Sequence, residues 1–371
     1  MRRPRGCEHP AQRQWKRPYP NVPVLGTWFP DPYSPPMARA TLQLKLKAND
    51  SINGKYVVVK KLGEGGCGSV YRCKLVKGEG EVAIKVLENA SDLARFNREA
   101  KVLGSIRHQH VVKLIDRGTH ERHPYLVLEY MEGGSVRDLM DKAGKLSAEE
   151  AAWLMIQAVR GLRASRTVHR DMKPENLLVG RGVGKNGTLK LTIDDVRKGS
   201  VLKVADFGLA KGHNPHSLKL THTGQVMGTP VYMSPEQCRN TRTVTNKSDM
   251  YSLGIIFYEM VVGRPPFEAS NAYDIMAMHC NDAPKYPRMD GRVKAVVEQC
   301  LAKTPKGRYA SLYALERDLA TIAGLGEPEP DRMSWAWLII IIGLVVLATL
   351  TFLLKDDLLA VVLPWWEKFR R

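Results

Sequence analysis

At 371 residues, with 44% hydrophobic and 25% charged side chains, the chain is long enough for a two-lobed protein with large cores, which excludes wholesale disorder. Its 56 Lys and Arg against 38 Asp and Glu give a net charge of +18, which either suits anionic partners or simply keeps the surface soluble. The spacing of a zinc finger and the aromatics of an RNA reader are both lacking, so no specific nucleic acid is expected, and the six irregularly spaced cysteines (Cys7, Cys67, Cys73, Cys238, Cys280, Cys300) argue against a disulfide framework or zinc site and fit a reducing cytoplasm.

Residues 1–54 are basic and rich in Pro and Arg without helical or strand period, and read as a disordered segment. A basic arm against anionic lipid and a true start at Met37 are alternatives. No apolar run follows the first arginines, so a secretory signal is not expected. From residue 55 the pattern changes. Stretches 56–62, 70–75 and 81–87 are short β-branched runs separated by Gly-rich turns and read as an antiparallel sheet. Ser91 is placed to cap a helix with Leu93, Phe96, Ala100 and Leu103 on one face, and 125–129 reads as another strand. Gly133 and Gly134 then suggest a loosened junction. Beyond it the chain is mainly helical. Ser147 and Glu150 form a capping box that opens a helix towards Gly161, and Ser248 precedes an apolar helix over 249–262. Further helices are expected over 271–279, 291–301 and 311–322. A Gly, Pro and acid linker covers 324–334. The run 335–354 has 20 residues without a charge, and a helix of that length spans about 30 Å, the thickness of a bilayer's hydrocarbon. It reads as a transmembrane helix with Trp335, Trp337, Trp365 and Trp366 as interfacial anchors, followed by the short tail 355–371.

Five constellations carry chemistry. Gly63, Glu64, Gly65, Gly66, Cys67 and Gly68 lead into Val70 on a strand, so backbone amides can approach phosphate oxygens closely; a dinucleotide fingerprint would lead into a helix. Lys85 in Val82-Ala83-Ile84-Lys85 is a cation on an apolar strand and needs an anion, which a phosphate and Glu99 on the following helix would both supply. His169-Arg170-Asp171-Met172-Lys173-Pro174-Glu175-Asn176 sets a carboxylate, an amine and an amide within six residues: Asp171 to take a hydroxyl proton, Lys173 to offset phosphate charge, Asn176 to ligate a metal. Asp206-Phe207-Gly208 places a carboxylate at a strand end, suited to Mg2+. The fifth is Gly228-Thr229-Pro230 through Ser234-Pro235-Glu236, followed by Ser248-Asp249 and later Arg308.

In this order the motifs resemble those of the eukaryotic-like serine/threonine protein kinases, and most closely their bacterial membrane-attached members, over about residues 55–322. The resemblance implies an α+β, two-lobed protein kinase fold over 55–323, with a small β-rich N-lobe (about 55–130) and a larger helical C-lobe (about 131–323), joined to one C-terminal transmembrane helix. It implies transfer of the ATP γ-phosphoryl to Ser and Thr of protein substrates, with ATP and Mg2+, or Mn2+ in its place. It also places adenine against the main chain from Glu129 to Met131, between Val70, Ala83 and Leu178, with Leu62 also binding ATP and Leu128 gating the space behind. Lys85 and Glu99 would form an ion pair, Asn176 and Asp206 would hold metal, and Glu236 would pair with Arg308. Asp249 would brace the catalytic loop. Thr221 and Thr223 are candidate autophosphorylation sites facing Arg170. Glu175 hints at a basic residue before the phosphorylated one.

Three departures stand out. The stretch from Gly161 to His169 is short, 180–200 is an insert in which 189–193 could pair with 201–204, and Cys67 sits at the phosphate-loop tip, inert or redox-active. A cytoplasmic kinase domain would leave only 355–371 across the cell membrane, too little for a folded sensor, unless the tail re-enters. Dimerisation is left open. A catalytically silent scaffold would not need all of Lys85, Glu99, Asp171, Asn176 and Asp206, and a small-molecule kinase would usually lack the 228–236 segment.

Overall fold

The computed structural model describes residues 44–65, 68–88, 92–180, 202–207, 230–239, 243–326 and 342–349, with Trp366 and Phe369. The chain divides into two compact units, one reaching Leu325 and the other beginning at Gly326.

The first unit opens with a six-stranded antiparallel sheet. Its strands are β1 (Ser51–Ile52), β2 (Tyr56–Gly65), β3 (Gly68–Leu75), β4 (Glu81–Leu87), β5 (Leu114–His120) and β6 (His123–Glu129), in the spatial order β1-β2-β3-β4-β6-β5. The three expected runs form β2 to β4, and 125–129 forms most of β6. β5 was not expected: its sequence LIDRGTH carries polar residues because only intermediate burial is asked of it. β4 explains how one strand serves two cores. Its alternation sends Val82, Ile84 and Val86 into a cluster with Tyr56, Tyr71 and Tyr125, and turns Ala83, Lys85 and Leu87 to the other face, where Ala83 and Leu87 join the main core.

Helix α1 (Leu93–Ser105) covers that second face with Phe96, Ala100 and Leu103, each 4% exposed or less. Leu93, expected on the buried stripe, stands 36% exposed, because it lies in the first turn at the helix's edge. The cap differs too: the N-cap position is Asp92, whose side chain makes no capping hydrogen bond, and Ser91 lies outside the described residues.

The helical lobe begins with α2 (Val136–Ala143), whose Ser135 and Asp138 form a capping box that the sequence reading passed over. α3 (Ala148–Ser165) starts with the expected Ser147–Glu150 box and continues past Gly161 to Ser165. There Arg166, at φ 51°, turns the chain back, so a short connection still reaches His169. Strands β7 (Leu177–Val179) and β8 (Leu202–Val204) pair antiparallel. Within the described residues β8 therefore finds its partner before the insert; stretch 189–193, expected to pair with it, lies outside them. On its other side β8 is tied to 110–112, Val112 N donating to Val204 O at 2.9 Å and Val204 N to His110 O at 2.9 Å.

The rest is α4 (Pro235–Arg239), α5 (Asn246–Val262), α6 (Ala272–Asn281), α7 (Gly291–Cys300) and α8 (Leu312–Ile322), with α8 packed along α3. α5 is buried along nearly its whole length. Its cap is Thr245, one turn earlier than expected; Ser248 is the third helical residue and returns the bond to the Thr245 N–H. Gly133 and Gly134 do not loosen the junction. Gly133 N donates to Val179 O at 2.9 Å, and a Cβ on Gly133 would lie 2.6 Å from that oxygen and 2.5 Å from Gly180 O. Glycine is needed there for close approach of two backbones.

Of the apolar run 335–354, only 342–349 are described, an exposed helical stretch in the second unit. Among the described residues no helix is long and apolar enough to cross a membrane. The remainder of that expectation, with the segment 1–43 and the insert 181–200, lies outside them.

Burial gives the first unit a pH signature. His110 and His279 are 2% and 0% exposed, and burial pushes each imidazole down to about 4. Between that value and the ordinary 6.5 the unfolded chain binds more protons than the folded one, so stability is complete above pH 6.5 and is lost as pH falls towards 4. The full loss is about 3 kcal/mol per residue. Imidazole NMR titration of the folded protein should find both midpoints below 5; a midpoint near 6.5 for either removes its contribution.

Candidate active site

The site forms where β4, α1, the 169–176 loop and the end of β8 converge. Lys85, turned towards α1 by the strand's alternation, is 8% exposed. Its Nζ donates to both carboxylate oxygens of Glu99 at 2.9 Å and to Asp206 Oδ1 at 2.9 Å. Burial works to strip this amine of its proton, and the carboxylates of Asp206 and Glu99 outweigh it and keep it charged. Burial and the nearby Asp206 together push the Glu99 carboxyl up to about 7, with Lys85 opposing them. Burial also works against ionisation of Asp206, but Lys85 prevails and holds its carboxyl below the usual range.

The 169–176 loop is locked from two sides. Asp249, 2% exposed on α5, accepts from His169 N and Arg170 N, both at 2.8 Å. His169 Nε2 lies 2.9 Å from Ala205 O, and its ring meets Phe207 edge-on at 4.9 Å, which ties the loop to the β8 end. Phe207 is 1% exposed. On this base Lys173 Nζ donates to Asp171 Oδ2 at 2.9 Å, while Asn176 Nδ2 donates to Asp171 O at 2.7 Å. The Asp171 carboxylate remains 46% exposed, open to an incoming hydroxyl.

Ala83 and Leu128 belong to the core cluster, with Val70 and Leu178 partly buried against it, while Met131 is half-buried and Leu62 41% exposed. Gly63, Glu64 and Gly65 close β2 and Gly68 opens β3, with Gly65 paired to Gly68. Gly68 has φ 141°, and a Cβ there would lie 1.9 Å from Val86 O, so the position demands glycine. Gly66, Cys67, Gly208, Thr221, Thr223, Gly228 and Thr229 lie outside the described residues.

A triphosphate with Mg2+ fits these side chains. Mg2+ takes oxygen ligands from one or two side chains and leaves the rest to phosphate and water. The Asp206 carboxylate is 42% exposed, and Asn176, bonding through its Nδ2, keeps an amide oxygen to offer. Among the described residues no group of three or more His, Cys, Asp or Glu is placed to hold a metal ion.

Glu236 and Arg308 meet as expected, Nη1 to Oε1 at 2.7 Å and Nη2 to Oε2 at 2.9 Å. Sequence reasoning missed three features. Lys203 Nζ donates to both oxygens of Glu129 at 2.8 Å, tying β8 to the end of β6. Gln237 Nε2 donates to Arg170 O at 2.8 Å. Arg137 bridges Glu175, at 3.4 Å, and Glu259, at 3.0 Å. Only Lys203 left a signal, a charged residue alternating with Leu202 and Val204.

Comparison with known proteins agrees with this geometry. The protein kinase domain profile matches residues 56–319. Serine/threonine-protein kinase PrkC of Bacillus subtilis is 34% identical over 283 residues, 73% of this chain and 41% of that protein. Serine/threonine-protein kinase PknL of Mycobacterium tuberculosis is 34% identical over 292 residues, 75% of this chain and 68% of that protein. PknB of the same species is 30% identical over 301 residues, 76% of this chain and 45% of that protein. The match thus spans less than half the length of PrkC and PknB.

Proposed function

Because this chain belongs to the eukaryotic-like serine/threonine protein kinase family, we propose that it transfers the γ-phosphoryl of ATP to Ser and Thr hydroxyls of proteins. The observation that carries the reading is the closed contact of Lys85 with Glu99 and Asp206, which join β4, α1 and the end of β8 around one cation.

In this reading Lys85, held charged and fixed by Glu99, binds phosphate oxygens of ATP. Asp206 and Asn176 would hold Mg2+, or Mn2+ in its place, which would neutralise phosphate charge. Asp171 orients the substrate hydroxyl and takes its proton as the new oxygen–phosphorus bond forms. The bond from the γ-phosphorus to its bridging oxygen breaks, and ADP keeps that electron pair. Lys173 offsets charge on the transferring group. Such a transfer is mostly positioning and electrostatics, and the site is built from fixed charges.

Two finer statements belong to the same reading. Thr221 and Thr223 are autophosphorylation sites, supported by Arg170, exposed at φ 68° directly before Asp171. The uncharged run 335–354 anchors the protein in the cell membrane with the kinase unit on the cytoplasmic side, where ATP is. The full chain, incubated with labelled ATP, Mg2+ and a protein mixture, should yield phosphoserine and phosphothreonine, with label on Thr221 or Thr223 by mass spectrometry. No transfer from folded protein, or phosphotyrosine alone, would sink the reading. Flotation with lipid vesicles should lift the full chain and not a 1–326 truncation.

A further inference from the structure

Beside the catalytic loop lies a cleft of about 490 Å³ with Asp171 and Lys173 in its wall. A chain offering its hydroxyl to Asp171 must lay a neighbouring side chain into this space. The wall also holds two carboxylates from separate elements, Glu175 at the end of the catalytic loop and Glu259 on α5. Left open, such a pair would attract Arg or Lys, since a planar guanidinium matches carboxylates with a fork of donors.

The pair is already taken. Arg137 Nη1 donates to Glu259 Oε1 at 3.0 Å, and its Nε to Glu175 Oε1 at 3.4 Å. Its Nη2 donates to the Tyr232 hydroxyl, which donates in turn to Glu259 Oε2 at 2.6 Å. The Glu259 contact is no solvent-screened surface pair, with that side chain 7% exposed and Arg137 28%; Glu175, 47% exposed, is held at the cleft's open side. Burial works against the guanidinium's charge, and Glu259 more than restores it. Arg137 is aimed from the first turn of α2, which the Ser135–Asp138 capping box fixes. Arg137, Arg170 and Lys173 now stand against Asp171, Glu175 and Glu259 around the cleft, so the charges lining it cancel.

We propose that Arg137 is a built-in occupant of a side-chain subsite in the peptide groove, and that it sets substrate specificity by denying the Glu175 and Glu259 carboxylates to basic residues of the substrate. The subsite then takes small or uncharged side chains next to the acceptor Ser or Thr. This assignment rests on the kinase reading and deepens it.

The test uses the full chain with ATP and Mg2+ on a peptide library in which Arg is placed at each position within five residues of the acceptor. Wild-type enzyme is expected to show no more than about twofold preference for Arg anywhere. Arg137→Ala and Arg137→Met should each gain about tenfold in kcat/KM for Arg at one position, mainly through KM. Adding Glu259→Gln should take the gain away. A wild-type enzyme that already selects Arg tenfold at one position overturns the assignment, as do unchanged profiles in both single variants. Wild-type enzyme that phosphorylates no peptide at all sinks the kinase reading, and this assignment with it.

Discussion

Asp171→Asn is expected to lower kcat by about 10²–10⁴-fold, the usual worth of a positioned general base, while nucleotide affinity changes little. The two side chains have the same shape, so the loop, held by Asp249 from below, keeps its path. What disappears is the acceptor for the hydroxyl proton and the negative charge that holds Lys173 Nζ at 2.9 Å. Burial lowers the proton affinity of Lys173, and Asp171 more than restores it. The variant thus loses the base and also displaces the cation that offsets phosphate charge. Steady-state rates together with a fluorescent-nucleotide titration check this. A kcat within threefold of wild type would remove Asp171 from the chemistry.

The largest stability effect is expected 72 residues from its partner in sequence, at Arg308. This guanidinium side chain is fully buried, and its fork engages Glu236, itself 8% exposed. It also donates to Ala302 O at 2.9 Å and Lys247 O at 2.8 Å, and stacks on Tyr251 at 4.9 Å. Ser248 Oγ gives Glu236 a further bond at 2.5 Å. Burial works against ionisation of Glu236, and Arg308 and Ser248 hold its carboxyl below the usual range. Arg308→Ala would strand that charge in the core and should cost about 3–5 kcal/mol in chemical denaturation. A double variant, Arg308→Met with Glu236→Leu, should cost less than Arg308→Ala alone, because it strands no charge. A loss under about 1 kcal/mol for Arg308→Ala would mean that water reaches the pair.

Much of the site was legible because its motifs fix chemistry at short range. Lys85 sits on an apolar strand, and alternation alone decides which face it takes. Asp171, Lys173 and Asn176 lie within one loop, so their convergence needs no long-range contact. The capping boxes are local in the same way, and Ser147 was readable for that reason. Ser248 misled because a serine at the third helical position and a serine at the cap look alike until the first turn is known. β5 escaped because a strand of intermediate burial has no strict alternation, and α2 because eight residues give little period.

The sequence by itself determined the family, the candidate site residues and the alternation of β4, since each follows from residue type at fixed short spacing. Tertiary structure alone decided that Arg137 of α2 closes on Glu175 and Glu259, and that Lys203 grips Glu129 across 74 residues. It alone decided, too, that Gly133 serves close approach and not freedom. A charged side chain can satisfy its desolvation with any opposite charge that packing brings near, so its partner is set by which elements meet and not by what stands beside it in the chain.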